Sequence, residues 1–404
     1  MKNNKIKNII AIGVFGTMIW SCKAPAVSQE IENHQAPKIP DNFENIQNSD
    51  ASLNSGLTPW KQFFTDPNLV VLIDEGLKNN QELMITLQEI EIAKNEVMYK
   101  NGKLTPTVEG KLGAGVEKVG RYTSQGAGDA STEIKPGQEM PDPLMDYMAG
   151  FSANWEVDIW KKLRNSKEAS VARFLSTVEG KNFVLSNLIA EIASSYYELL
   201  SLDTQLDYIH QNIALQKDAL RVVKIQKEAA RETELAVKKF EAELLKSESE
   251  EFDIRQDITE TENRLNALLG RYPQPIKRDN SEFTNMIPQA MNAGIPAQLL
   301  SNRPDIKQAE LELQASALDV KVARAEFYPS LNISASLGLN AFKPSYLIKM
   351  PESILYSFAG DLAGPLINKS AIKAEFNTAN AKQIQALYEY DKTVLNAYLE
   401  VANQ

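Results

Sequence analysis

Apolar residues recur along this chain with two different periods, and the places where the period changes outline the fold. From Asn68 to Asn79, Leu69, Leu72, Ile73 and Leu77 fall on one helical face, and a longer helix to about Lys103 uses Leu83, Leu87, Ile90, Val97 and Met98. The period then drops to two. Thr107 to Val116 sets Val108, Gly110, Leu112, Ala114 and Val116 against Glu109 and Lys111. Tyr147 to Ile159 alternates Tyr147, Ala149, Phe151, Ala153, Trp155, Val157 and Ile159 with Gly150, Ser152, Asn154, Glu156 and Asp158. Ser330 to Leu339 and Ile354 to Ala363 alternate in the same way. The pattern predicts two strand pairs, at about 106–116 with 147–159 and at about 329–339 with 354–364.

A long helical hairpin is predicted between the pairs, at about 163–269. Lys181 to Ala230 contains no Pro or Gly, and Leu206, Ile209, Ile213, Gln216, Leu220 and Val223 follow at coiled-coil spacing. The return from Leu235 to Leu269 carries Val237, Phe240, Leu244, Ile258, Leu265 and Leu268. At 1.5 Å per residue each arm reaches roughly 50 to 75 Å. Ala230-Arg231-Glu232-Thr233-Glu234 breaks the pattern, with Thr233 placed to cap the returning helix and Glu234 suited to its N-terminal dipole. Gly270, Pro273 and Pro275 end it.

One unit is written twice. Asn79, Glu89, Val97, Pro106 and Gly115 match Asn302, Glu312, Val320, Pro329 and Gly338 at one constant offset. Residues 57–300 form the first copy, and residues 301–404 an incomplete second. The second copy stops at Gln404, at the point matching roughly Tyr197. Its own helical hairpin is therefore expected to be missing, either because the chain is part of a longer one or because half of the helical wall is absent.

The amino terminus adds an address. Residues 1–21 carry Lys2, Lys5 and Lys7 and then an apolar run from Ile9 to Trp20, too short to span a bilayer, as a secretory signal requires. The chain's one cysteine, Cys22, follows directly and resembles the lipid-attachment cysteine of a bacterial lipoprotein box. Lys23 is not the Asp that marks inner-membrane retention, so sorting to the outer membrane is expected. Residues 22–56, polar and punctuated by Pro25, Pro37 and Pro40, read as a lipid-anchored tether.

Strands of about ten residues are long enough to cross a membrane when tilted, although a half-buried sheet in a soluble sandwich has the same period. In lipid, four strands cannot close a barrel, and an open edge leaves backbone groups unpaired at several kcal/mol each. Any barrel must be shared: two chains supply eight strands, three supply twelve.

Composition removes several other classes. The formal net charge of −10 argues against a nucleic-acid partner. Two histidines and one cysteine make a zinc site of His/Cys type an unlikely design. The sequence contains neither a Gly-X-Ser-X-Gly elbow nor a Walker loop. Neither an enzyme nor a cofactor is expected.

Leu300-Ser301-Asn302-Arg303-Pro304-Asp305-Ile306, the alanine-rich stretch from Ala315 to Ala325, and Phe327-Tyr328-Pro329-Ser330-Leu331 resemble the TolC-like outer-membrane efflux factors. The likeness is to their lipoprotein branch, which partners resistance-nodulation-division pumps. Asp158-Ile159-Trp160-Lys161-Lys162-Leu163-Arg164 and Gly364-Pro365-Leu366-Ile367 resemble that family's turns from strand into long helix. The resemblance implies a mixed α and β fold, with four transmembrane strands per chain in a trimeric, twelve-stranded barrel and coiled-coil-like helices forming a periplasmic tunnel. It further implies a homotrimer that passively conducts small molecules such as drugs. Its partners would be a periplasmic adaptor, which would meet the tip Arg231, Glu232, Thr233, Glu234, Leu235 and Ala236, and an inner-membrane pump. Protein secretion, metal-ion efflux and a non-channel scaffold lipoprotein are the alternatives.

Overall fold

The computed structural model describes residues 58–281, 295–365 and 369–403, with 31, 34, 38–40, 56, 283 and 367. The signal segment, Cys22 and most of the tether lie outside the described residues. The elements run α1 (Trp60–Phe63), α2 (Pro67–Asn79), α3 (Gln81–Gly102), β1 (Thr107–Glu117), α4 (Ser124–Ser131), β2 (Glu133–Lys135), β3 (Gln138–Glu139), β4 (Leu144–Val157), α5 (Lys162–Glu228) and α6 (Glu234–Leu268). Then come α7 (Ala297–Asn302), α8 (Pro304–Ala325), β5 (Ser330–Ala341), α9 (Pro344–Leu347), β6 (Ile354–Ala363) and α10 (Ser370–Ala402). Two compact units result. One holds residues 93–174 and 311–389, the other 36–92, 175–310 and 390–404.

The first unit is built on one antiparallel sheet of order β1-β4-β5-β6. Its register follows the apolar alternation. Leu112 faces Ala149, Phe151 faces Leu337 and Leu337 faces Tyr356, so the apolar positions of all four strands share one face. Strand β4 runs from Leu144 to Val157 rather than over 147–159. At its start Leu144 to Asp146 pair with Gly115 to Glu117 of β1. At its end the Asp158 carboxylate leaves the ladder to serve the next helix, accepting from the backbone amides of Leu163 at 2.9 Å and Arg164 at 3.0 Å. A small core of Val320, Phe327 and Phe376 sits on the helical side of this unit.

The second unit packs α2 on α5 and α6 around Leu69, Ile73, Ile192, Tyr196, Leu199, Leu265 and Leu269. Asp66 caps α2 through the amide of Asn68 at 2.7 Å and accepts the Tyr196 hydroxyl at 2.7 Å. Burial, with the Asp66 carboxylate second, pushes the Tyr196 phenol well above its ordinary range. Arg278 clasps Asp203 of α5 and Glu262 of α6, so one guanidinium ties both arms of the hairpin.

Helix α5 starts at Lys162, as the expected hairpin bounds of about 163–269 indicate, but exceeds the arm length expected from the coiled-coil stretch. It runs 67 residues, about 100 Å, and passes straight through Gly180. A helical glycine costs about 1 kcal/mol against alanine. Here a Cβ would come within 2.9 Å of the Gln308 side-chain amide, the movable end of a flexible side chain on α8. Helix α6 ends where Gly270 turns left-handed at φ 68°; Gly270 N–H donates to Ala267 O and Arg271 N–H to Asn266 O, which closes the last turn.

Candidate functional site

The chemistry available here is that of surfaces. On one face of the sheet stand Val108, Leu112, Val116, Phe151, Leu331, Ile333, Leu337, Tyr356, Phe358 and Leu362. Leu112 is 90% exposed, Phe151 67% and Phe358 77%. That is a continuous apolar surface far beyond scattered single residues. The opposite face carries Glu109, Lys111, Ser152, Asn154, Ser334, Ser336, Asn340 and Asp361. There Ser336 and Ser357 share a 2.7 Å hydrogen bond and Asn340 donates to Asp146 at 2.7 Å. The outer strands β1 and β6, 11 and 10 residues long, pair on one side only among the described residues. No described helix is long and apolar enough to cross a membrane.

The second surface is the turn between α5 and α6. Helix α5 closes with the same bond pattern as α6: Ala230 N–H donates to Lys227 O and Arg231 N–H to Gln226 O. The residue held left-handed, at φ 55°, is Ala230 rather than glycine. Thr233 Oγ1 then accepts from the Ala236 amide at 3.2 Å and starts α6. The six tip residues Arg231, Glu232, Thr233, Glu234, Leu235 and Ala236 thus lie together on one turn. Leu235 is 79% exposed there. The side chains of Arg231 and Glu232 bond to no described residue.

Below the turn a ladder of ion pairs joins the arms. Lys227 meets Glu234, Lys224 meets Glu241 at 3.0 Å and Lys217 meets Glu248 at 2.9 Å, and further along His210 shares a 3.1 Å hydrogen bond with Glu251. The hydrogen bond from Lys238, then that from Lys224, holds the Glu241 carboxyl below its usual range, and Lys227 does the same for Glu234. The sequence pattern marked the apolar seam and not this ladder, although the seven-residue spacing of Glu234, Glu241 and Glu248 was a signal for it. Outside the ladder, Tyr208, Leu215 and Val222 form an exposed apolar row on α5, as Leu245 and Phe252 do on α6.

The third region is the turn from β4 into α5. Burial alone would raise the Asp158 pKa. The amides of Leu163 and Arg164 and the Arg164 guanidinium outweigh it and hold the carboxyl below its ordinary value. Trp160 stacks on Tyr328 at 4.8 Å and donates to Pro329 O at 2.7 Å, which locks the turn to the start of β5. Lys161 is left-handed, at φ 60°. Among the described residues no cluster of His, Cys, Asp and Glu is set to hold a metal ion.

Known proteins share this mixed fold of a sheet and long helices. Residues 72–271 and 295–404 match the outer membrane efflux protein family. The chain belongs to that family. This outer membrane efflux protein is 28% identical over 347 residues to the pyoverdine export outer membrane protein OpmQ of Pseudomonas aeruginosa, spanning 86% of this chain and 71% of OpmQ. It is 23% identical over 380 residues to the probable outer membrane lipoprotein SilC of Salmonella typhimurium, spanning 94% and 78%. The structure of the outer-membrane channel OprN superimposes with a TM-score of 0.78 at 24% identity, over 92% of this chain and 81% of OprN. OpmQ is named for export and OprN as a channel, and the mixed fold with long helices is theirs. The protein is an efflux component of the outer membrane.

Proposed function

We propose that three copies of this chain form a passive exit duct, each giving β1, β4, β5 and β6 to a twelve-stranded barrel whose polar face lines the lumen. The observation that carries this reading is the open-edged sheet with one wholly apolar face. Strands of 10 to 14 residues suit a tilted crossing of the hydrocarbon. Both long edges need partners in lipid, and β1 of one copy against β6 of the next supplies them. Each of the two copies of the internal repeat would contribute one strand pair. Helices α3 and α8 are each 22 residues long and precede β1 and β5, in keeping with that duplication. The exposed rows Tyr208-Leu215-Val222 and Leu245-Phe252 would pack on neighbouring helices of the tunnel.

Small molecules would enter from an inner-membrane pump through a periplasmic adaptor seated on Arg231 to Ala236, with free energy supplied by the pump. Cys22 would carry the lipid anchor, in line with the lipoprotein relative SilC. The test is Leu112→Arg. On a soluble sheet this exposed substitution is neutral. At mid-depth in a bilayer it costs about 2 to 4 kcal/mol, so membrane insertion and conductance steps should fall while Lys111→Leu spares insertion. Equal insertion and conductance for Leu112→Arg and the parent would sink the barrel.

A further inference from the structure

The turn from β4 into α5 and the end of α8 enclose an open cleft of about 630 Å³, lined by Trp160, Lys161, Arg164, Lys321, Arg324 and Tyr328, with Glu168 the one carboxylate among its walls. Arg164 is already held by Asp158. Lys161, Lys321 and Arg324 pair with no described residue, although the chain as a whole carries an excess of ten negative charges. Setting Glu168 and Asp158 against the four cations leaves the cleft with a net excess of two positive charges. Beside the cleft Lys162 bridges Glu156 at 2.5 Å and Glu326 at 3.6 Å, a trio with one net negative charge, so the surroundings keep a net excess of one positive charge. Lys161 has a left-handed backbone, at φ 60°, that glycine would adopt without cost.

We propose that this cleft holds the phosphate of an anionic lipid headgroup from the periplasmic leaflet of the outer membrane. The proposal rests on the barrel reading, which sets the depth. Trp160 lies three residues past the last residue of β4 and Tyr328 two before the first of β5, so both fall within about 10 Å of the strand ends. If the strands cross the hydrocarbon, that is headgroup level, where indole and phenol rings settle with an apolar body inward and a polar edge outward. Three unpaired cations beside such a stacked pair form a basic pocket for a phosphodiester. The cleft is also far larger than an inorganic phosphate, and the aromatic wall suits the glycerol and first methylenes of a lipid.

The test uses the full-length lipidated protein, reconstituted in phosphatidylethanolamine vesicles with or without phosphatidylglycerol. It is then released in mild detergent and weighed by native mass spectrometry. The parent should retain phosphatidylglycerol in preference to phosphatidylethanolamine. Lys161→Gln/Lys321→Gln/Arg324→Gln should weaken that retention on the order of a hundredfold, and Lys321→Gln alone about fivefold, while Arg324→Lys keeps it. Lys321 is exposed on a helix surface, so the single variant carries the comparison if the triple variant does not assemble. Unchanged retention in these variants, or no preference for the anionic lipid, overturns the site. Stripping of the lipid by millimolar inorganic phosphate would assign the cleft to a free anion instead and overturn the lipid assignment. Unheated gels of the same samples score the trimer: a trimer without lipid removes this proposal alone, whereas no trimer in the parent removes the barrel and this site with it.

Discussion

Arg278 grips Asp203 with two parallel hydrogen bonds, Nε to Oδ2 at 2.6 Å and Nη2 to Oδ1 at 2.9 Å. Glu262 holds the remaining nitrogen at 2.5 Å. The Arg278 side chain is 13% exposed, and its hydrogen bond to Asp203 is the first cause that raises its pKa. Removing one member of a buried pair leaves the others charged and unmatched. Arg278→Leu should therefore destabilise the helical unit by about 3 kcal/mol, read as earlier protease cleavage on heating. Arg278→Leu with Asp203→Leu should recover part of that loss; a double variant worse than the single one would show that the pair is not coupled.

At the hairpin turn, Ala230 adopts a left-handed conformation that costs a side-chain-bearing residue about 1 kcal/mol or more. Ala230→Gly should slow hydrogen exchange in the last turn of α5 by roughly fivefold. Faster exchange would show that chain entropy, not strain, dominates the turn.

Acid should loosen the ladder. Glu234 and Glu241 have folded pKa values depressed below the unfolded ones. Their pairing is therefore fully present above the ordinary carboxylate range, about 4.3, and is lost as pH falls through the lower folded values. Exchange near Lys224 and Lys227 should rise below about pH 4 and show no step between pH 6 and 8. Glu241→Gln should remove part of the acid response, and an acid response that survives in Glu234→Gln/Glu241→Gln assigns it elsewhere.

Three substitutions, Cys22→Ser, Glu232→Pro and Thr233→Pro, test the proposed anchor and tip. Cys22→Ser should leave the precursor without attached lipid in a labelled-palmitate experiment. Proline at Glu232 or Thr233 should lower adaptor cross-linking while trimers persist on gels. Full cross-linking in both proline variants would move the contact away from this turn.

The sheet and the hairpin were legible because their residues repeat: alternation placed β6 at both its ends, and Thr233 was recognisable as a cap from its position after the break. The start of α5 was legible to within a residue, but its unbroken run through Gly180 was less so, because the stretch free of Pro and Gly begins only at Lys181. The end of β4 was hidden for a related reason. Asp158 and Ile159 continue the alternation, but the free amides of a helix compete for the carboxylate and win. The basic cleft drew no attention in the sequence, since Lys161 and Lys321 are 160 residues apart and look like ordinary surface charges until the fold joins them.

The two unsatisfied margins of the sheet bear on how the duct is made and kept. Three separate copies have six such margins, a joined pair and a single copy have four, and in the proposed ring the third copy removes all four. The first seam therefore hides two margins, the third subunit's arrival hides a second pair, and closing the last seam hides the final pair. Reversing it in lipid would bare two rows of backbone groups at several kcal/mol per group. Subunits should thus be chosen once, during insertion, and finished ducts carrying different tags should stay unmixed when their membranes are fused.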